Sequence, residues 1–408
     1  MKKTIAVFFG GQSVEHDVSI LSGLQFLEAI DDDLYDSFPV YVAPNGCWYI
    51  GDALRSRDFY PLDETNAGQL TQVYLGLGER DYRQSRPMLD FDQKGLFGTK
   101  HLSKPFDCAV TALHGTNGED GSFQGMMQFA GIPVAGCQTL SSAATMDKAF
   151  TKQILKSFDV PVLGHHLVRR PPKGHHIDDK LALDGMLADL GDNPWPIFVK
   201  PRSLGSSVGV SKAENAEDYI AALLKVFRLD EWAIVEPFVP NLVEYNVAVR
   251  REDGDVFTSV IERPQRASEF LDFSAKYRSG DGKGSKGGAK SAPASEGMAS
   301  LNRVLNPEEL TDRQIDIITT SAKKAADALM LSGSVRIDFL CDEKTGDLWL
   351  NEINTIPGSF AWYLWVDAQP PMPFTELTTK IIQEGFDLAS QRLNDTSAKT
   401  GAATIFKR

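Results

Sequence analysis

The sequence predicts an α/β (α+β) protein with more than one core. Three observations carry this. At 408 residues the chain is too long for one ordinary core, so two or three domains are expected. It opens on a short apolar run, Thr4–Phe9, followed by Gly10-Gly11 and a helical stretch, the order of a buried parallel strand, a turn and a helix. Near its end, Ser334–Phe360 reads as two strands joined by the polar, glycine-containing connection DEKTGD.

Composition narrows the class. A hydrophobic share of 42% and a charged share of 24% are ordinary for a soluble globular chain. A net charge of −13 argues against a nucleic-acid partner, which wants a basic surface. Cys47, Cys108, Cys137 and Cys341 are scattered without a CxxC, the usage of reduced thiols in a cytoplasmic protein. The start, MKKTIAVFFGG, has an apolar run too short for a signal peptide. There is no 18-residue apolar stretch, so no membrane span is expected.

In chain order, the helix after Gly11 runs to about Leu27, with Ser13 as its N-cap. Glu15 in its first turn is either a helix-dipole partner or a ligand group. Pro39–Val42 is the second strand, and residues 51–103 are an irregular, polar elaboration of the first domain. Phe106–Leu113 is a strand ending in His114-Gly-Thr-Asn-Gly-Glu-Asp-Gly121, a candidate binding loop at a strand C-end. A helix Ser122–Phe129 and a strand Ile132–Gly136 follow. Ser141–Phe158 is helical and contains Met146-Asp147-Lys148. Residues 168–195 are a loop with one helix near Leu181–Leu190.

Ile197–Pro201 is a strand carrying Lys200 near its end. The small-residue loop Arg202–Val210 after it leaves backbone N–H groups open to phosphate. Gly205–Gly209 also matches the hydrolase elbow G-x-S-x-G, but every histidine precedes Ser207, which is the wrong order. Ala213–Phe227 is an amphipathic helix. Ala233–Val239 and Glu244–Val249 read as partner strands, with Glu236 and Glu244 bracketing the unit. Phe270–Gly297 has low complexity and reads as a mobile lid. Its G-S-K-G-G-A-K-S lacks the strand and helix that a phosphate loop needs. Pro307–Leu331 is a helix with its cap region at Asn306, and Phe374–Leu393 is the last helix. The pairs His165-His166 and His175-His176 lie in a basic, proline-containing loop with only distant acids, a weak basis for a metal site.

The hairpin carries the chemistry. If it is symmetric about Thr345, position 338 faces 352 and 336 faces 354. Arg336, Asp338, Glu352 and Asn354 then share one face, while Val335, Ile337, Phe339, Trp349 and Ile353 share the other. Two carboxylates about 5 Å apart repel by about 3 kcal/mol at an effective dielectric near 20. A fold keeps that arrangement if something cationic sits between them; the plain alternative is a solvated strand face with an incidental ion pair. Arg336 is one candidate; a hard divalent ion fits better, because Mg²⁺ accepts carboxylate and amide oxygens beside phosphate.

Seven motifs together resemble the D-alanine–D-alanine ligases of the ATP-grasp superfamily. They are FFGGQSVEHDVS (8–19), LHGTNGEDGSFQG (113–125), MDKAFTK (146–152), VKPRSLGSSVGVS (199–211), AKY (275–277), VRIDF (335–339) and LNEINTIPG (350–358). The resemblance implies a three-domain ATP-grasp architecture with an N-terminal open parallel sheet. The expected boundaries are 1–140, 141–232 and 233–408, with the lid at about 270–300. It implies ATP as a substrate and Mg²⁺ or Mn²⁺ at Asp338, Glu352 and Asn354. Lys148 and Lys200 match the phosphate-binding lysines, and Glu236, Val239 and Glu244 the adenine and ribose side. Glu15 matches the residue receiving the first D-alanine's ammonium, and Arg336 the oxyanion-stabilising arginine. Ser206, Tyr277 and Gly358 complete the implied catalytic set. His114, Lys276, Tyr363 and Leu364 are the implied substrate-binding residues. Small molecules are the expected partners, with a homodimer as the candidate assembly.

The chain departs from that pattern after Gly358. Relatives continue Met-Thr-x-His-Ser-Leu, where the serine helps hold the second substrate's carboxylate; here Tyr363 takes its place. Position 237 is proline where relatives often carry lysine, and the insert after Tyr277 is longer. The first reading is therefore ligation of two D-alanines through an acyl phosphate. The second is an ATP-grasp ligase with another D-amino acid or D-hydroxy acid as acceptor, and the third an inactive nucleotide-binding protein.

Overall fold

The structure is a computed structural model and describes residues 2–63, 66–76, 87–95, 98–205, 207–265 and 303–395. The expected lid, with Lys276 and Tyr277, and Ser206 lie outside the described residues. Among the described residues the strands form three sheets. None of the described helices is long and apolar enough to cross a membrane.

The first sheet is built from β1 (Lys3–Gly10), β2 (Tyr35–Val42), β3 (Trp48–Ile50), β4 (Thr71–Leu75), β5 (Met88–Gly95), β6 (Gly98–Pro105), β7 (Cys108–Thr111) and β8 (Val134–Ala135). Helix α1 (His16–Ala29) follows β1, and α2 (Ser122–Phe129) precedes β8. The order is β6-β5-β4-β3-β2-β1-β7-β8. Only β2, β1, β7 and β8 pair in parallel; β3 to β6 extend the sheet antiparallel. The expected open parallel sheet is thus mixed, and residues 51–103 are not merely irregular. Antiparallel strands can leave one face in water, so β4 to β6 lack the continuous apolar runs that mark β1 and β7. Nor does Ser13 cap α1: Glu15 stands at the cap position without a side-chain cap bond.

The second sheet follows α3 (Thr139–Met146) and α4 (Lys148–Ser157). It contains β9 (His166–Arg169), β10 (Ile197–Pro201), β11 (Ser211–Ala213) and β12 (Trp232–Pro237), in the order β11-β10-β12-β9. Helices α5 (Asp179–Leu190) and α6 (Ala216–Val226) lie within this stretch. The single helix expected over Ser141–Phe158 is broken at Asp147, whose backbone is extended (φ −90°, ψ 101°). Its carboxylate accepts the N–H groups of Ala149 and Phe150, so Asp147 caps α4 and Lys148 becomes that helix's first residue.

The third sheet has the order β15-β14-β13-β16-β17, antiparallel throughout. Its strands are β13 (Leu242–Glu252), β14 (Asp255–Pro264), β15 (Arg303–Leu305), β16 (Val335–Asp342) and β17 (Leu348–Asn354). Helix α7 (Asp312–Ala328) precedes β16, and α8 (Phe374–Asp395) ends the described chain. Thr311 caps α7, in a reciprocal box with Gln314, rather than Asn306. The strands expected to pair, β12 and β13, belong to different sheets. Proline at 237 cannot extend a ladder, and Asn241 turns the chain with φ +46°. Helix α8 returns to the first sheet: Ile5, Val7 and Phe9 of β1 share one core with Phe360, Leu364, Leu377 and Ile381.

Candidate active site

The β16–β17 register sets Asp338 opposite Glu352 and Arg336 opposite Asn354, as the symmetry about Thr345 predicts. Strands β13 and β14 prolong the first row, with Asn246 opposite Asp338 and Glu262 opposite Asn246. One line of polar side chains therefore crosses four strands: Glu262, Asn246, Asp338, Glu352. Its length is on the order of 14 Å at about 4.8 Å per strand.

A bulge closes this row. The register shifts after Asp338, so Phe339 pairs with Leu350 and Asn351 is the extra residue. Leu350, not Trp349, joins Phe339, Ile337 and Ile353 in the core behind the sheet. Trp349 instead packs with Leu163, Val239 and Leu340. Its expected place on the core face was wrong because one inserted residue inverts the alternation of the strand beyond it. Glu244 opposes Leu340 and borders this apolar patch.

Arg336 forks onto Asp338, Nε to Oδ1 at 2.7 Å and Nη2 to Oδ2 at 2.8 Å. Asn354 Nδ2 donates to the same Oδ2 at 3.1 Å. A cavity of about 40 Å³ lies beside them, lined by Glu119, Lys148, Gly205, Glu352 and Asn354 among others. Two carboxylates and an amide oxygen are hard donors, and Mg²⁺ takes one or two carboxylates together with phosphate oxygens. The residues present fit such an ion. Apart from this two-acid, one-amide set, no cluster of three or more His, Cys, Asp or Glu among the described residues is placed to hold an ion. His166, for which the sequence offered only distant acids, has its Nδ1 2.6 Å from Asp189 Oδ2.

The cations approach from the second sheet and α4. Lys148 Nζ donates to the Leu204 carbonyl at 2.6 Å, and burial lowers its pKa. Lys200 Nζ donates to Glu236 Oε2 at 2.5 Å. The other oxygen of Glu236 meets Lys152 Nζ at 2.7 Å, and the Lys152 and Glu236 side chains are both 2% exposed. Burial alone would raise the Glu236 pKa, yet the two ammoniums hold the carboxyl well below its usual range. Lys152 escaped the sequence reading, although it lies four residues after Lys148 and hence on the same helix face.

The first sheet contributes the loop after β7. Glu15 is buried, and its carboxylate lies so near Gly115 that a Cβ there would be 2.7 Å from Oε2. Ser13 Oγ donates to the His114 carbonyl at 2.7 Å and accepts the Glu15 N–H at 3.1 Å, which occupies the hydroxyl expected to cap α1. His114 is buried, with Nε2 2.9 Å from Ser22 Oγ. Burial, then Arg336, lowers its pKa to about 3, so the imidazole is neutral at pH 7. Ser22 Oγ also accepts the Ser359 N–H at 3.1 Å. Glu119, likewise missed, accepts Gly115 N–H at 2.9 Å and Ile356 N–H at 3.3 Å. The signal was present: Glu119 is the acid inside the His114–Gly121 loop.

Gly358–Leu364 is a short 3₁₀ segment in which Ser359, Phe360 and Ala361 all have φ between +52° and +55°. Left-handed backbone costs about 1–2 kcal/mol per residue. It is held by Ser22, by Pro357 O accepting Phe360 N–H at 2.8 Å, and by Ser334 Oγ donating to Phe360 O at 2.7 Å. Tyr363 emerges from this turn, and its hydroxyl reaches Glu262 Oε1 at 3.4 Å. Leu364 is fully buried in the core, so only its backbone can face a ligand.

The chain is similar to known proteins over nearly its whole length. Family models described as D-ala D-ala ligase N-terminus and D-ala D-ala ligase C-terminus match residues 4–137 and 154–383. A D-alanine--D-alanine ligase of Acetivibrio thermocellus is 32% identical over 406 residues, covering 97% of each chain. One from Heliobacterium modesticaldum is 32% identical over 390 residues, covering 94% of this chain and 95% of the relative. The fold is similar to the solved D-alanine-D-alanine ligase of Coxiella burnetii, with TM-score 0.72, 23% identity and 97% of each chain covered. It is similar also to the VanG D-Ala:D-Ser ligase of Enterococcus faecalis, with TM-score 0.71, 24% identity, 94% of this chain and 100% of that one covered.

Proposed function

The chain belongs to the D-alanine–D-alanine ligase family, and from that premise we propose how its own residues divide the work. The reaction is ATP-dependent ligation of two D-alanines for peptidoglycan precursor synthesis, with the ATP-grasp fold, ATP as substrate and a divalent metal. A carboxylate oxygen of the first D-alanine attacks the γ-phosphorus, and the bond to the β-phosphate oxygen breaks with its electron pair on ADP. The second molecule's amine then attacks the carbonyl carbon of the acyl phosphate. The amine loses a proton, and inorganic phosphate leaves with the C–O electron pair.

One observation carries the assignment of roles: the row Glu262, Asn246, Asp338, Glu352, with apolar Leu340 and Trp349 on one side and Arg336 on the other. That map supports adenine near Leu163, Val239, Leu340 and Trp349, with Glu244 at the sugar. Lys148 and Lys200 take the phosphates, and Lys200 exchanges Glu236 for them. Asp338, Glu352 and Asn354 would hold the metal, which neutralises phosphoryl charge when bound. Arg336 faces the developing oxyanion. Glu15 receives the first ammonium, and neutral His114 keeps that pocket's hydrogen bonds in place. Ser206, Gly358 and the lid residues Lys276 and Tyr277 keep their implied roles in this proposal.

The division at 1–140, 141–232 and 233–408 is carried forward, with the last strand of the middle sheet running on to Pro237. A cytoplasmic location is supported by the scattered, unpaired cysteines. A homodimer is the assembly to test, by light scattering. The activity test is phosphate release from ATP and Mg²⁺ with and without D-alanine. D-alanine-dependent release supports the reading, and no release with any pair of D-amino acids ends it. A different acceptor is the second reading, favoured by Tyr363 in the acceptor pocket; a screen of acceptors at fixed D-alanine separates the two.

A further inference from the structure

Beyond Asn246 the row on the third sheet ends in a cluster that the reaction as described does not use. Glu262 is 3% exposed and collects three donors. Asn246 Nδ2 reaches its Oε1 at 2.8 Å, the Tyr363 hydroxyl reaches the same oxygen at 3.4 Å, and Arg303 Nη1 reaches Oε2 at 3.0 Å. The Arg303 guanidinium lies 3.7 Å above the centroid of the Tyr363 ring. Thus Glu262 holds an arginine over a tyrosine ring, and the tyrosine is delivered by the strained turn at Ser359–Ala361.

Three points argue that this is more than packing. A buried ion pair rarely stabilises a fold better than apolar residues would, so its retention asks for a use. The Tyr363 hydroxyl, 3.4 Å from Glu262 Oε1, has one O–H to give, whereas the guanidinium beside it presents a positive charge and a fork of N–H donors, the stronger recogniser of a carboxylate. Lastly, Asn246 is 7% exposed and its Oδ1 is buried with no hydrogen-bond partner. A carboxylate accepts only, so the amide nitrogen must face Glu262 and Oδ1 points away from it. An unpaired buried acceptor of this kind suits an N–H donor brought by a ligand.

We propose that Arg303, clamped by Glu262 over Tyr363, takes the carboxylate of the second amino acid, and that Asn246 Oδ1 takes its amine. Their placement agrees: Asn246 Nδ2 is bound to one oxygen of Glu262 at 2.8 Å and Arg303 Nη1 to the other at 3.0 Å, so one carboxylate sets the two groups side by side, as the two ends of an α-amino acid require. Asn246 also directly opposes Asp338, to which Arg336 is bound, so an amine held there lies beside the reacting carbonyl. Acceptors without a carboxylate are selected against. This rests on the ligase reading above and names the specificity residues of that site.

The test is an internal competition. Enzyme, ATP and Mg²⁺ are supplied with D-alanine and an excess of D-alaninamide, which has the amine but no carboxylate. The two products, D-alanyl-D-alanine and its amide, are counted by mass spectrometry. Wild type strongly favours the free acid. Arg303→Met moves the product ratio towards the amide by about 10–100-fold, the worth of a hydrogen bond to a charged group. Asn246→Ala lowers both products together and leaves the ratio within about threefold, since both acceptors bring an amine. Should Arg303→Met fail to fold, Arg303→Lys decides, because an ammonium cannot fork onto a carboxylate and the ratio still moves. An unmoved ratio in the folded Arg303 variants overturns the proposal. Wild type forming neither product would instead overturn the ligase reading.

Discussion

Glu119 Oε1 accepts the backbone N–H of Ile356, 237 residues further along the chain and two beyond Asn354. Its other oxygen accepts the N–H of Gly115, beside which the Glu15 carboxylate lies. One side chain thus clasps the loop after β7 to the exit of the β16–β17 hairpin, where the metal is proposed to bind. Partners one step removed from a metal site typically matter 10–100-fold. Glu119→Ala should therefore lower the rate or the Mg²⁺ affinity by about that factor, measured as phosphate release over a Mg²⁺ titration. A variant indistinguishable from wild type would mean that the clasp is incidental.

The same residue predicts a pH effect. Burial, then the Glu15 carboxylate, pushes the Glu119 pKa up to about 8. The folded state therefore binds a proton that the unfolded state has already released, and this group's contribution to stability falls as pH rises from about 4.5 to about 8. Glu119→Gln should flatten that slope in urea melts taken across the window. An unaltered slope would show that the carboxyl is ionised in the fold.

His114 works in the opposite sense. Its pKa is lowered to about 3 in the fold against 6.5 unfolded, so the unfolded chain gains a proton first as pH falls. Stability is undiminished above about pH 6.5 and drops below it, by about 2 kcal/mol at pH 5 from this group alone. His114→Gln should remove most of that acid loss, as read from denaturation midpoints at pH 5 and pH 8.

The Lys152–Glu236–Lys200 cluster predicts an asymmetry. Removing the shared carboxylate leaves two cations without their partner, one of them fully buried, and costs about 3–5 kcal/mol. Glu236→Gln should lose about that much, while Lys152→Met should lose less, because Lys200 still balances Glu236. Chemical denaturation of wild type and the two variants measures the difference. Equal loss in the two variants would deny that Glu236 balances both lysines.

At the hairpin, Glu352→Ala should reduce D-alanine-dependent phosphate release by about a hundredfold or more and shift the Mg²⁺ requirement upward. Unchanged activity would remove the metal assignment. Deleting Asn351 tests the bulge: it removes the extra residue and leaves Leu350 opposite Phe339 and Trp349 opposite Leu340, so the core face is kept and the chain should still fold. Failure of this deletion variant to fold, read by circular dichroism and thermal melting, would show that the bulge itself, and not only the facing of Leu350 and Trp349, is required.

Much of this was legible from residue order. The alternation of Val335, Ile337 and Phe339 with Arg336 and Asp338 sufficed to face Asp338 with Glu352, because strand periodicity and a short turn are local properties. Helix α2 lies where its pattern predicted, and β1 and β7 within a residue or two of it, for the same reason. The break at Asp147 was harder: a run of good helix formers hid a residue whose carboxylate caps the following helix and pairs with Arg202.

What the sequence by itself determined is the set of chemical parts and their local spacing: two acids and an amide on a hairpin, lysines at a helix start and a strand end, a glycine loop. What only the tertiary structure decided is which distant groups share a volume. Glu119 with Ile356, Lys152 with Glu236, and Arg303 with Tyr363 are separated by dozens to hundreds of residues. Such pairs are set by how three sheets stack and by a one-residue bulge. The charge state of a buried group depends on that enclosure, because desolvation and neighbouring charge act through space and not along the chain.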